Sequence, residues 1–493
     1  MAIEQAAERG TLPLTVTEAA ARLRAGELSS VELTSAVLAR ADAVDQRLGT
    51  YVTRLDESAL ARAAKADEEL ARGVDRGLCQ GIPIAVKDIV AVAEGPTTGN
   101  SVVHDRSWGA GRDAPVVRRL KAAGAVITGK TTTFEFAIGS PDPTKPFPMP
   151  ANPWDLARSP GGSSAGTGNG LAAGLFLAGI GTDTGGSIRI PAAWNGTTGL
   201  MPTFGRVPTS GCIPVGYTLD RIGPLARSAR DCAAMLAVMA GHHPSDGSCA
   251  DRPVDDYLGA LTGDLEGLRI GVERANHFPP TADPALADCF DAALAALVDL
   301  GAELVEVTLP WYDEVATALW VTMWAEALAY HRPDLASRWD DYYPLTRVNL
   351  ARGALASAAD YVQAARVRRV AQAAVATLFE GVDLIVGPTT AGGACTNADL
   401  ADPTKEFGEL FEVFTGYWDA LGHPALAVPM GFTDGGLPLS LQLAARPFDE
   451  ATALRAGDAY QRVTDWHLRQ SPLLASLSAS PEGSAASGGK ETP

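Results

Sequence analysis

A single serine, Ser187, stands in the stretch GIGTDTGGSIRIPA, residues 179–192, directly after a Gly-Gly pair and two residues before Arg189. A seryl hydroxyl is a poor nucleophile until a neighbour takes its proton, and the usual taker is histidine. None is close in sequence: the nearest are His104 on one side and His242 and His243 on the other. Either Ser187 punctuates a loop, or another group accepts its proton. Lysine is the next base to consider, provided burial holds it neutral. Most of the lysines (Lys65, Lys121, Lys130, Lys145, Lys405, Lys490) sit in charged or turn-like sequence and read as solvated surface. Lys87 lies instead in GIPIAVKDIV, among Ile82, Ile84, Ala85, Val86, Ile89 and Val90. A Lys-Asp pair inside a β-like apolar run is either an edge-strand gatekeeper or a buried functional group. Strand alternation turns Asp88 to the face opposite Lys87.

Three other motif matches fail on mechanism. GAVITGKT, residues 124–131, fits the phosphate-loop pattern, but that loop needs free backbone N–H groups between a strand and a helix. Here Ala125, Val126 and Ile127 read as the strand itself. GSSAG, residues 162–166, fits a nucleophile elbow centred on Ser164, yet the elbow needs an apolar strand before it. What precedes it is PWDLARSP. The pair Ser487 and Lys490 lies in a Gly/Ser-rich tail, no place for a buried lysine base.

The elements that must position Ser187 and Lys87 come from patterning. TVTEAAARLRAGELSSVELTSAVLARADAV carries two capping boxes, Thr15 with Glu18 and Ser29 with Glu32, each leading into apolar residues at helical spacing. IPIAVKDIV, GAVITGK, LRIGVERA, AELVEVTLP, VDLIVGPTT and PALAVPM read as strands, and alanine-rich segments such as 351–379 as helices. The alternation argues for an α/β fold with a substantial sheet. Residues 159–186, dense in Gly, Ser and Thr but interrupted by an apolar segment, read as tight turns around buried structure. No internal repeat and no linker is visible before the tail, so one unit over residues 1–475 is expected, with 476–493 disordered.

Composition narrows the class. The 493 residues are 46% hydrophobic and 20% charged, as in a soluble globular protein. The longest apolar run, LAAGLFLAGI, is too short for a bilayer core of about 30 Å. The acidic, polar MAIEQAAERG has no secretory apolar region, so a cytoplasmic location is expected. The net charge of −18 and the lack of any Lys/Arg run argue against nucleic acid as a partner. Six cysteines form no C-x-x-C pair or zinc spacing, and His242-His243 sits in a turn-like AGHHPSDGS. Reduced structural cysteines and no metal are expected.

GIPIAVKDIV, PGGSSAGTG and GTDTGGSIRIPA, in that order, resemble the amidase signature family. Lys87 and Ser163 are 76 positions apart and Ser163 and Ser187 are 24 apart, spacings that match as well. VVRRLKAAGAVITGKT, NPWDLARSPGG, GRVPTSG, GHPALAVPMGF and GLPLSLQLAARPFDE extend the likeness over nearly the whole chain. The resemblance implies one large mixed β-sheet core surrounded by α-helices. It also implies a catalytic triad of Lys87, Ser163 and Ser187, with Ser187 as nucleophile, Ser163 in a cis peptide and Lys87 as base. The proton of Ser187 would pass through the Ser163 hydroxyl to Lys87. Backbone N–H groups of Thr184, Gly185, Gly186 and Ser187 would form the oxyanion hole. Ser164 would support the network, and Asp183 and Arg189 read as an ion pair shaping the loop. Trp320, Trp324 and Tyr330 could wall an acyl pocket, although aromatics at helical spacing are commonly core.

The activity so implied is hydrolysis of a carboxamide, or of an anilide, ester or carbamate, through a seryl acyl-enzyme with no cofactor. The A-type component of a Glu-tRNA(Gln) amidotransferase shares this signature and is the alternative. Such components usually have Gln after GGSIR and Ser-Arg-Tyr-Gly after GRV, where this chain has Ile190 and Pro208-Thr209-Ser210-Gly211. Those departures lead to the expectation of a stand-alone monomer or homodimer with a small-molecule amide or carbamate substrate, no nucleic acid and no membrane. An intact Lys-Ser-Ser set argues against a catalytically silent binding protein.

Overall fold

The structure is a computed structural model and describes residues 14–401 and 412–478. Eleven strands form its frame: β1 (Tyr51–Arg54), β2 (Pro83–Lys87), β3 (Val126–Thr131), β4 (Ala178–Asp183), β5 (Thr198–Met201), β6 (Arg221–Ala226), β7 (Arg269–Glu273), β8 (Glu303–Val307), β9 (Leu384–Pro388), β10 (Ala425–Phe432) and β11 (Pro438–Ala445). They make one mixed sheet in the order β1-β3-β2-β4-β6-β5-β10-β11-β9-β7-β8. Helices surround it, so the α/β class and the single large mixed sheet both hold. The inner strands β2, β4, β6 and β11 are buried along their whole length. Burial on both faces explains the near-continuous apolar run around β2, whereas β4, within the segment expected as tight turns, and β6 and β11 carry polar residues and were not among the expected strands. At the edge, β8 turns Glu303 and Glu306 outward, which blunts an otherwise open ladder.

The capping signals mark the first helices. Thr15 accepts from the Glu18 amide at the start of Val16–Arg24. Ser29 and Glu32 complete a reciprocal box ahead of Ser30–Leu48. The alanine-rich segment splits into Pro344–Arg352 and Ala358–Leu378, the second started by a box of Ser357 with Asp360. A final helix, Pro472–Ser478, runs into the start of the expected tail. From residue 479 on, that tail lies outside the described residues. Among the described residues no helix is long and apolar enough to cross a membrane.

Two lysines differ from their expected setting. Lys130 lies within β3, the strand that the phosphate-loop pattern overlaps, and is fully buried. Its Nζ pairs with Asp88 Oδ1 at 2.8 Å and donates to Thr97 Oγ1 at 2.9 Å. Lys121 is largely buried too, against Asp113 and Glu94. Lys130 reads as solvated in sequence because its carboxylate, Asp88, arrives from 42 positions away, and for Lys121 Glu94 arrives from 27 positions away.

The register builds the site. β2 lies parallel to β4, with Val86 opposite Ile180, so both strands end at the same edge of the sheet. On its other side β4 pairs antiparallel with β6. The loop after β4 therefore leaves the sheet where strand direction changes, a place where α/β sheets commonly open a crevice.

Candidate active site

Lys87 is the last residue of β2 and has no exposed surface. Its Nζ donates to Ser163 Oγ and to Thr182 Oγ1, both at 2.7 Å. Burial disfavours the ammonium and brings the Lys87 pKa down to about 7, while Cys212, Asp183 and Asp220 pull the other way. Asp88 does not contribute to that pull: its carboxylate is turned to Lys130 and Thr98. Lys87 is an interior group bonded to two hydroxyls, not an edge gatekeeper.

Ser163 follows a cis Gly162–Ser163 peptide and is buried. Its carbonyl accepts from the Phe134 amide at 3.3 Å, and the Phe134 ring lies so close to Gly162 that a Cβ there would overlap it. Ser164 ties this turn to β4. Its Oγ donates to the Thr182 carbonyl and accepts from the Thr182 amide, each at 3.3 Å, and its amide donates to the Ser187 carbonyl at 3.3 Å. No strand precedes Ser164, so the elbow pattern has no structural counterpart.

Ser187 stands between β4 and the helix Arg189–Asn195, half-buried like Gly185 beside it. Asp183 shapes this loop from its first residue. It accepts from the Gly186 amide at 2.5 Å and the Ile188 amide at 3.1 Å, and it pairs with Arg189 Nε at 3.0 Å. Burial pushes the Asp183 carboxyl up, yet the Arg189 guanidinium and these hydrogen bonds outweigh it and hold it at about 2. Arg189 also binds Asp419, the Thr415 carbonyl and Gln442 Oε1. A buried carboxylate and guanidinium bonded this fully form a scaffold for the loop.

One expected donor is not available. The Gly186 N–H is directed at Asp183 instead of outward, because the carboxylate sits inside the turn. Among the described residues the amides of Thr184, Gly185 and Ser187 have no protein acceptor. Those three remain for a substrate oxygen. Gly186 itself has φ +128°, and a Cβ there would collide with Thr415 Oγ1 and lie 2.7 Å from Ile190 Cδ1. Gly186→Ala is expected to cut the hydrolytic rate by roughly 10²-fold or more by displacing the donors. A rate assay beside a thermal melt checks this, the melt separating displacement from unfolding.

Several residues at the site had no sequence signal. Thr182 is a second hydroxyl on Lys87. Thr415 reaches from a remote segment to donate to the Gly185 carbonyl at 2.7 Å. Met323, on the helix Tyr312–Ser337, puts its Cε 3.0 Å from where a Gly185 Cβ would stand. The aromatics expected on that helix divide. Trp320 and Trp324 stack on each other with centroids 5.5 Å apart, and Trp320 is exposed. Tyr330 is half-buried, and burial pushes its phenol up with help from Tyr217, Asp334 and Cys212. Met323, on the buried face of this helix, meets the donor loop, whereas Trp320 is exposed and Trp324 is partly buried against the core. Among the described residues no group of three or more His, Cys, Asp or Glu could hold a metal.

The family model described as Amidase matches residues 32–454. A curated relative from Chloroflexus aggregans, named as the A-type component of a glutamyl-tRNA(Gln) amidotransferase, is 41% identical over 484 residues, covering 93% of this chain and 98% of the relative. An amidase from Pseudomonas putida is 39% identical over 467 residues, covering 94% and 98%. A solved structure described as a vestigial protein complex at the evolutionary origin of an s-triazine catabolic enzyme superposes with TM-score 0.84. It is 32% identical, over 91% of this chain and 98% of that one. These likenesses correct the expectation of a lone monomer or homodimer with a small-molecule substrate and no nucleic acid, because several curated relatives are named as components of a tRNA amidotransferase. Ile190, where such components usually have Gln, is buried in a cluster with Ala193, Trp194, Ala394 and Cys395. With a family match over most of its length and relatives spanning more than nine-tenths of it, this chain belongs to the amidase signature family of hydrolases.

Proposed function

We propose that the chain cleaves a carboxamide through a seryl acyl-enzyme and works as the amide-hydrolysing component of a glutamyl-tRNA(Gln) amidotransferase type of assembly. The observation that carries the chemistry is the 2.7 Å contact between the buried Lys87 Nζ and Ser163 Oγ. Ser187 Oγ attacks the amide carbonyl carbon while its proton moves through the Ser163 hydroxyl to neutral Lys87. The amides of Thr184, Gly185 and Ser187 take up the charge that develops on the carbonyl oxygen. Lys87 then returns the proton by the same route to the leaving nitrogen, the C–N bond breaks, and ammonia departs from a Ser187 ester. Water, activated along the same path, hydrolyses the ester and restores the serine.

The assembly reading is supported by a relative that this chain matches at 41% identity over 93% of its length. An amidotransferase moves an amide nitrogen to an acceptor, so the ammonia freed at Ser187 is handed on. Co-expression with the B-type component of the same source tests this. The expected result is a single co-eluting complex that carries the amide nitrogen onto glutamyl-tRNA(Gln). A chain that elutes alone and leaves that tRNA unchanged overturns the assembly reading.

A further inference from the structure

Just beyond the β4–β6 ladder stands a carboxylate, Asp220, that neither the quoted family motifs nor the proposed triad includes. Asp183 lies opposite Arg221 in an antiparallel register, so the next pair beyond the strands is Thr184 with Asp220. The side chains meet there. Thr184 Oγ1 donates to Asp220 Oδ1 at 2.6 Å. The same oxygen accepts from the Gly216 amide at 3.0 Å, and Oδ2 accepts from the Val215 amide at 2.9 Å. One carboxylate thus joins the first free donor of the loop to the turn before β6.

That turn is itself anchored. Thr218 donates its amide to Glu326 Oε2 at 2.9 Å and its hydroxyl to Glu326 Oε1 at 2.8 Å. Glu326 also accepts from the Tyr361 hydroxyl at 2.6 Å. Arg368 holds Thr218 from the helix Ala358–Leu378, through its hydroxyl and its carbonyl, each at 3.1 Å. The donor loop is therefore gripped from both sides: by Asp183 at the Gly186 amide and by Asp220 at the Thr184 side chain. Preorganised donors are effective because they need not reorient during reaction.

We propose that Asp220 is a positioning residue for the reaction at Ser187, holding the Thr184 end of the donor loop through its hydroxyl. The inference rests on the reading of Ser187 as the nucleophile. The charge of Asp220 acts as well. Lys87 from β2, Cys212 and Tyr217 from the segment before β6, and Glu326 from the helix Tyr312–Ser337 all feel or exert charge at this carboxylate. Burial pushes the Asp220 carboxyl up to about 6, against the bonds from Thr184, Gly216 and Val215. Ionised, it favours the ammonium form of Lys87. Removing its charge must lower the pH at which Lys87 becomes a base.

The test is the second-order rate at which a fluorophosphonate labels Ser187, measured against pH. Phosphonylation needs the same nucleophile, base and oxygen donors as acylation. Asp220→Asn is expected to label roughly 10²-fold more slowly at its plateau, the scale of one misplaced donor. Its pH midpoint is expected to fall by about half a unit, a charge effect that mere loosening of the loop would not produce. Thr184→Val is expected to match the rate loss without the shift, and Thr184→Ser, which keeps the hydroxyl, to label faster than Thr184→Val. Labelling of Asp220→Asn at the parental rate, or a slower rate with no shift in midpoint, overturns the inference. Should Asp220→Asn fail to fold, a parental rate in Thr184→Val overturns it equally. A parent protein that is not labelled at Ser187 refutes the nucleophile itself, which is a separate result.

Discussion

Ser187→Ala is expected to abolish amide hydrolysis, a loss of roughly 10⁶-fold, the scale of removing a serine nucleophile, with the fold unchanged. Its Oγ makes no hydrogen bond within the described structure, and the loop around it is held by Asp183, Ser164 and Thr415 through backbone groups and not through the Ser187 side chain. A fluorophosphonate should label Ser187 in the parent and leave the variant untouched, with the modified peptide located by mass spectrometry. Thermal unfolding of the two proteins should coincide within a few degrees. Labelling at Ser164 would overturn the assignment in favour of the elbow, although Ser164 Oγ is buried and bonded to the Thr182 backbone.

The second large effect concerns Lys87. Its pKa of about 7 in the folded chain lies well below the ordinary 10.5, because burial removes the water that would solvate an ammonium. The rate should therefore rise with pH through an ionisation near 7 and level off above it. Lys87→Ala is expected to lose several orders of magnitude, since among the described residues no other base is hydrogen-bonded to Ser163 Oγ. Lys87→Arg should not restore activity, because a guanidinium stays protonated in proteins. An active Lys87→Arg enzyme would require another acceptor for the Ser187 proton.

The same residue makes a stability statement with a defined sign. Between pH 7 and 10.5 the unfolded lysine holds a proton that the folded one has released, so folding stability should rise with pH across that window. A shift of that size corresponds to roughly 5 kcal/mol at about 1.4 kcal/mol per pH unit. Lys87→Met should consequently fold more stably than the parent at neutral pH while being inactive. Denaturant titrations at about pH 7 and about pH 9 would reveal this, with the gap between variant and parent closing at the higher pH. A gap independent of pH would mean that Lys87 keeps its proton when buried.

By itself the sequence determined the parts of this protein whose cause is local. The strands β2, β9 and β10 were legible because burial on both faces demands apolar runs, whereas β4, AGIGTD, lay in the segment expected as tight turns. The first helices were legible because Thr15, Ser29 and Glu32 stand at capping spacing. Lys87 stood out locally as a charged residue in an apolar strand, whereas Ser163 was singled out only by the resemblance of PGGSSAGTG to the family motif. Tertiary structure decided everything that depends on which distant segment arrives opposite. Thr182 meets Lys87 from 95 positions away, and Thr415 meets Gly185 from 230. Lys130 is buried because Asp88 faces it across β2 and β3, a pairing that local charge patterning cannot express. The Gly186 amide is withdrawn from the donor set because Asp183 turns inward, and Asp220 reaches Thr184 only because β4 and β6 share a register. Composition also misjudged the partners. A net charge of −18 is a sum over the whole surface, whereas recognition of another chain or of a tRNA depends on one face of it.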